Sequence, residues 1–143
     1  PYFVVQKAER ILGLQGKSLR GSKVLVLGVT YKEDLPDIRE SPALKVIQLF
    51  MKEGCEVEYY DPYVPSIEVQ LQNQGTYEGR QSVRLDSIPD LSAEKVGSAD
   101  LVAVLTGHSC VDYELVVQAA RAVLDTRNAV RSYMDTVSDI WTL

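Results

Sequence analysis

The stretch Lys23-Val24-Leu25-Val26-Leu27-Gly28-Val29-Thr30-Tyr31 (KVLVLGVTY) decides the fold. Apolar and β-branched residues follow one another there without alternation, which predicts a strand covered on both faces, as strands of parallel sheets are. Ser41-Pro42 then opens a helix, with serine as N-cap and proline at the first helical position, where its missing N–H costs nothing. Ala43, Leu44, Val46, Ile47, Phe50 and Met51 continue it at helical spacing, and Gly54 stops it in a left-handed conformation. Glu56–Asp61 (EVEYYD) reads as a second strand that ends against Pro62. Such a β-α-β unit pairs in parallel through a right-handed crossover.

Outward from that unit the signals vary in strength. Upstream, Val4, Val5, Ala8, Ile11 and Leu12 keep helical spacing, and the polar, glycine-bounded stretch Gly16–Ser22 links this helix to the first strand. Downstream, residues 63–99 are interrupted by Pro65, Gly75, Gly79 and Pro89, and Gln70–Gln74 is polar. Within them Ser82–Leu85 reads as a short strand and Leu91–Val96 as a short helix. Leu101–Thr106 (LVAVLT) is again a buried strand, Asp112 caps a helix bearing Leu115, Val116, Ala119 and Ala120, and Ala122–Asp125 is the last clear strand. Asn128–Leu143 has no strong period. The expected architecture is a doubly wound, mostly parallel, Rossmann-like α/β sheet.

Composition narrows the function. A chain of 143 residues with 45% hydrophobic and 24% charged residues supports one domain with its own core. Its net charge of −5 disfavours nucleic acid as a general partner. No apolar run approaches the roughly 20 residues needed to span a bilayer, and no signal peptide opens the chain, so neither membrane nor export is expected. Cys55 and Cys110 are too few for a disulfide scaffold or a four-cysteine zinc site, which suits a cytoplasmic setting with no metal.

Open parallel sheets bind ligands at the carboxyl ends of their strands. Three segments fall there: the loop Tyr31–Glu40, the Asp61-Pro62 corner and the turn Asp125-Thr126-Arg127-Asn128. The first places Lys32 and Arg39 before a proline-started helix, where an ammonium, a guanidinium and free N–H groups can cradle a phosphate. Glu33, Asp34, Asp37 and Glu40 stand in the same loop, and a solvated loop with Asp37 or Glu40 pairing Arg39 is the competing reading. A dinucleotide fingerprint is missing: Gly28 stands alone, with no G-x-G-x-x-G. Asp61 therefore reads as an Asp-Pro turn rather than a ribose-binding acid.

The run Gly21–Lys32 (GSKVLVLGVTYK), followed by Asp37-Ile38-Arg39-Glu40-Ser41-Pro42-Ala43, resembles the opening of the UDP-binding domain of the UDP-glucose/GDP-mannose dehydrogenase family. Tyr59-Tyr60-Asp61-Pro62-Tyr63 and Asp125-Thr126-Arg127-Asn128 fall where that family has its "YDP" and "D-x-R-N" segments, and the match extends over essentially residues 1–128. The family oxidises the C6 hydroxyl of a nucleotide sugar to a carboxylate in two NAD-dependent steps through a cysteine-bound intermediate. The resemblance implies that residues 1–20 are the end of a central dimerising helix and its linker, and that 21–143 form the UDP-sugar-binding C-terminal domain. It implies that Tyr31, Lys32 and Arg127 contact the UDP-sugar and that Arg39 reaches NAD held by an N-terminal domain. The opening segment looks more like the N-acetylhexosamine-oxidising branch, which serves surface polysaccharide synthesis.

The same resemblance places the catalytic cysteine, the acid/base carboxylate and the NAD fingerprint upstream, so this segment alone is expected to be inactive. Glu33 and Pro36 depart from the family's pattern, as does Gly107. His108 and Cys110 invite comparison with a nucleophile pair, but no orienting acid stands nearby except Asp112, which caps a helix, so a structural role for His108 at the site's rim is expected. Cys55 is expected to be a buried small apolar residue. The rival reading is a free-standing, non-catalytic nucleotide-binding or assembly module of the same fold, since a fold hosts many functions.

Overall fold

The computed structural model describes residues 1–72, 80–133 and 139–143. Among the described residues are seven strands, β1 (Lys23–Leu27), β2 (Glu56–Tyr60), β3 (Ser66–Gln72), β4 (Arg80–Asp86), β5 (Leu101–Val104), β6 (Ala122–Asp125) and β7 (Asp139–Thr142). They alternate with α1 (Tyr2–Leu14), α2 (Pro42–Lys52), α3 (Ala93–Ser98), α4 (Tyr113–Ala119) and a short 3-10 turn, Arg131–Tyr133. Five strands form one sheet in the order β2-β1-β5-β6-β7, every neighbouring pair parallel. The doubly wound α/β expectation holds.

Alternating strand residues feed two cores. Val24 and Val26 of β1, Leu101 and Ala103 of β5, and Ala122 and Leu124 of β6 pack with α1 and α2 on one face. Leu25 and Leu27, Val102 and Val104, and Val123 pack with α3, α4 and Val130 on the other. Burying each such side chain contributes about 1.5–3 kcal/mol. The helix ends follow their sequence signals: Ser41 Oγ accepts from Ala43 N (3.2 Å), Asp112 Oδ1 from Leu115 N (3.1 Å), and Gly54 lies at φ 92° just past α2.

Three features differ from the sequence reading. β1 stops at Leu27 rather than Tyr31, because Gly28 turns the chain at φ 84°. β3 and β4 form an antiparallel hairpin apart from the main sheet, with Ile67 and Val69 buried against the α2 face. β7, not Ala122–Asp125, is the last strand; Trp141 packs on the first core, with the Lys7 ammonium 5.5 Å from its ring centroid. Gln70–Gln74, Gly75 and Gly79 fall partly or wholly outside the described residues.

At the amino end of the sheet, Asp100 fastens the first linker. Its carboxylate accepts from the Lys17 ammonium, from Lys23 N (2.8 Å) and from Arg121 Nη1 (3.2 Å). These bonds hold its carboxyl below the usual range although burial opposes them. Cys55 is buried and donates to the Leu19 carbonyl (3.1 Å), as expected of a small core residue. No helix among the described residues is long and apolar enough to cross a membrane.

Candidate functional site

Strand order reverses between β1 and β5, so the carboxyl ends of these two strands are where the fold offers a ligand crevice. Here main chain fills the base of that crevice. A Cβ on Gly28 would lie 2.5 Å from both Thr106 Cβ and Thr106 O, so only glycine permits the approach. Thr106 Oγ1 donates to Thr30 O (2.8 Å), and Leu105 N and Thr106 N both donate to Leu27 O (2.9 and 3.2 Å). Any ligand at this edge rests on the loops rather than between the strands.

A buried polar knot holds those loops. Asp61, 1% exposed, accepts from Val29 N (2.8 Å) and His108 Nε2 (2.9 Å) through Oδ2, and from Tyr63 N (2.9 Å) through Oδ1. Asp34 N donates to His108 Nδ1 at 2.8 Å. A main-chain N–H can only donate, so Nδ1 is the acceptor and the proton sits on Nε2, directed at Asp61. His108 is 0% exposed, which corrects its expected place at the rim while keeping its structural role. The Tyr63 ring lies 4.8 Å from the imidazole, and Tyr113 Oη donates to His108 O (2.8 Å). Cys110, by contrast, is exposed.

The loop that the knot holds carries two of the predicted cations, Lys32 and Arg39. The loop is drawn in by Tyr31 N donating to Asp37 O (3.0 Å) and by Thr30 Oγ1 donating to Lys32 O (2.6 Å). Asp34 and Glu40 adopt positive φ (63° and 58°), conformations that persist only where contacts hold them. Tyr31 and Lys32 are exposed, and the Lys32 ammonium has no hydrogen bond or ion pair among the described residues. Arg39 is exposed too, but forms a two-pronged pair with Asp37, Nε to Oδ1 and Nη2 to Oδ2, both at 3.0 Å. That hydrogen-bonded guanidinium holds the Asp37 carboxyl below the usual carboxylate range. The main-chain and hydroxyl donors of Ser109 do the same to Asp34. The competing expectation, Asp37 pairing Arg39, is thus the geometry found.

Arg127 is presented by a turn that its own sequence builds. Asp125, buried, accepts from Arg127 N (3.0 Å) and Val130 N (2.9 Å), Thr126 Oγ1 donates to Val104 O (2.7 Å), and Asn128 takes the left-handed position at φ 62°. Arg127 Nε donates to Leu105 O at 2.9 Å. The segment Leu105–Ser109 therefore touches Arg127 at one end and the Thr30–Asp34 loop along the rest. Arg127 and the loop that carries Lys32 thus bond to one short stretch of main chain, whereas the Arg39 side chain is paired with Asp37 of its own loop.

A dinucleotide does not fit this edge in the Rossmann manner. The space a glycine-rich turn keeps open for a pyrophosphate is occupied at Gly28 by Thr106, and both Asp61 oxygens are taken by protein donors. No group of metal-ligating side chains occurs among the described residues. A small concavity lined by Lys23, Glu56, Glu58, Lys95 and Ser98 lies at the opposite, amino-terminal edge. The knot of Asp61, His108 and Asp34 is what sequence reasoning did not anticipate.

Residues 25–132 match the family model described as UDP-glucose/GDP-mannose dehydrogenase family, UDP binding domain. The chain is 33% identical over 136 residues to the UDP-N-acetyl-D-mannosamine dehydrogenase of Methanocaldococcus jannaschii, covering 90% of this chain and 26% of that protein. It is 32% identical over 109 residues to the enzyme of the same name from Campylobacter jejuni, covering 76% of this chain and 23% of that one. The solved UDP-D-ManNAc dehydrogenase of Pyrococcus horikoshii superposes with a TM-score of 0.71 at 23% identity, over 99% of this chain and 30% of that chain, a likeness of fold. The chain thus spans about a quarter of the length of the curated relatives it matches. It belongs to the UDP-glucose/GDP-mannose dehydrogenase family, as a UDP binding domain of that family.

Proposed function

We propose that this domain grips the UDP moiety of a UDP-sugar with Tyr31, Lys32 and Arg127, on behalf of an NAD-dependent dehydrogenase that oxidises the sugar's C6 hydroxyl to a carboxylate. The observation that supports the reading is a guanidinium (Arg127) braced on the Leu105–Ser109 segment and an unpaired ammonium (Lys32) carried by the Thr30–Asp34 loop, which is bonded to that same segment. An ammonium neutralises phosphate as a point charge, and a guanidinium offers a planar fork to phosphate or ribose. Tyr31, half exposed beside Lys32, adds an aromatic face against which a base or sugar can lie.

In this reading NAD belongs to a separate N-terminal domain, and Arg39 reaches it across the cleft by exchanging Asp37 for an anionic group of the cofactor. NAD supplies the hydride acceptor when bound; this chain's residues bind and orient the UDP-sugar. The N-acetylhexosamine branch is the reading we favour from the opening segment, and the two UDP-N-acetyl-D-mannosamine dehydrogenases among the similar proteins support it. Residues 1–20 would join the domains, and a cytoplasmic homodimer making polysaccharide precursors is the expected setting.

Calorimetric titration of the 143-residue chain with UDP, and separately with NAD, tests the proposal. UDP is expected to bind weakly, with Lys32→Ala and Arg127→Ala each weakening it about five- to tenfold, the scale of one charge-assisted contact. NAD is expected to give no comparable signal. UDP affinity unchanged in both variants, or NAD binding tighter than UDP, would refute the assignment.

A further inference from the structure

A loop between strands takes its shape from whatever satisfies its main-chain polar groups. In the loop after β1 that partner is an imidazole from a residue 74 positions downstream: Asp34, at φ 63°, donates its N–H to His108 Nδ1 (2.8 Å). The Asp34 carboxylate meanwhile takes the N–H and hydroxyl of Ser109 (2.8 and 2.9 Å). His108 is itself fixed from behind, since Nε2 donates to the buried Asp61, its carbonyl accepts from Tyr113, and the Tyr63 ring lies beside it. The imidazole is a strut with one end in the core and the other on the turn that bears Lys32.

We infer that His108 is a positioning residue for ligand binding: it touches no ligand, but its Nδ1 latches the Tyr31–Asp34 turn that carries Lys32 onto the Leu105–Ser109 segment on which Arg127 is braced. The inference deepens the proposed UDP-sugar site and rests on that reading. Its energetic logic is population. A turn that spends only a tenth of its time in the competent shape weakens apparent affinity about tenfold with no contact to the ligand lost.

Two near-isosteric substitutions separate the two ends of the strut. In His108→Asn the amide oxygen falls near the Nδ1 position and can accept from Asp34 N–H, while the bond to Asp61 is lost. In His108→Gln the amide nitrogen reaches toward Asp61, while Asp34 N–H loses its acceptor. Each forfeits one buried hydrogen bond, so a merely structural role predicts that both behave alike. The latch predicts that His108→Gln weakens UDP binding about tenfold and speeds amide exchange at Asp34 about as much, while His108→Asn stays within about twofold of wild type in both.

Equal effects of the two variants on exchange and affinity would overturn the inference. Should either fail to fold, the nitrogen–nitrogen scalar coupling across the Asp34 N–H to His108 Nδ1 bond in labelled wild-type protein decides, and its absence rejects the latch. Wild-type protein that shows the coupling but does not bind UDP would sink the ligand reading, and with it the purpose assigned to His108, while leaving the latch as structure.

Discussion

Arg127 Nε donates to the carbonyl of Leu105 at 2.9 Å, so the guanidinium that follows β6 is braced on the main chain that follows β5. The Nη nitrogens have no partner among the described residues and remain free for a ligand. A lysine cannot both brace and fork. Arg127→Lys is therefore expected to lose nearly as much UDP affinity as Arg127→Ala. Its urea midpoint is expected to stay close to wild type, since the side chain is exposed. Full UDP affinity in Arg127→Lys would show that the fork is irrelevant.

Asp61→Ala removes the acceptor of two buried donors, Val29 N and His108 Nε2–H, and of the half-buried Tyr63 N. Stranding them is expected to cost about 3–5 kcal/mol in urea unfolding. Asp61→Asn, which keeps one acceptor oxygen, is expected to cost less. A loss below about 1 kcal/mol for the alanine variant would mean the knot contributes little.

Gly28→Ala is expected to destabilise by roughly 2–4 kcal/mol, combining a left-handed φ with a Cβ driven into Thr106. Gly16→Ala offers a control at positive φ with open space around it, and is expected to lose only the conformational part. Equal losses at the two positions would argue against the close contact.

Most of the sheet was legible because its central strands are covered on both faces: residues 24–27, 101–104 and 122–124 are unbroken apolar runs. Ser41-Pro42, Gly54 and Asp112 marked helix ends by local chemistry alone. β3 carried a period-2 signal in Ile67, Val69 and Leu71, obscured by its polar partners Glu68 and Gln70. β7 is a four-residue edge strand with no run to betray it. The place of the His108 imidazole had no local signal, since the side chains and main chain that meet its ring nitrogens, at Asp61, Asp34 and Thr30, lie 47, 74 and 78 residues away. Lys32 and Arg127 were nameable as site candidates only because each lies in the loop that follows a strand that was itself legible.

Alkaline pH is expected to weaken the fold. Burial pushes the Cys55 thiol from an ordinary 9.0 up to about 11, and pushes the Tyr59 phenol from 10.0 up to about 12, with Asp61 adding to the latter. Tyr113 is pushed up as well, chiefly by burial. These groups stay protonated in the folded chain after the unfolded chain has released its protons. Their contribution is whole below pH 9 and is lost as pH climbs through about 11 and then about 12. The urea midpoint is expected to fall across that window, and Cys55→Ala to flatten its first part. An unchanged slope in that variant would exclude the thiol as a source.

Where Gly28 meets Thr106, the sheet ends in a sealed floor. In the proposed site a guest lying on it would meet loop side chains rather than the strands beneath. On that reading, recognition could be retuned by exchanging exposed residues such as Tyr31, Lys32 and Arg127 without disturbing the core beneath. Opening the floor would require giving up the glycine contact, and with it the strand ends on which those side chains stand.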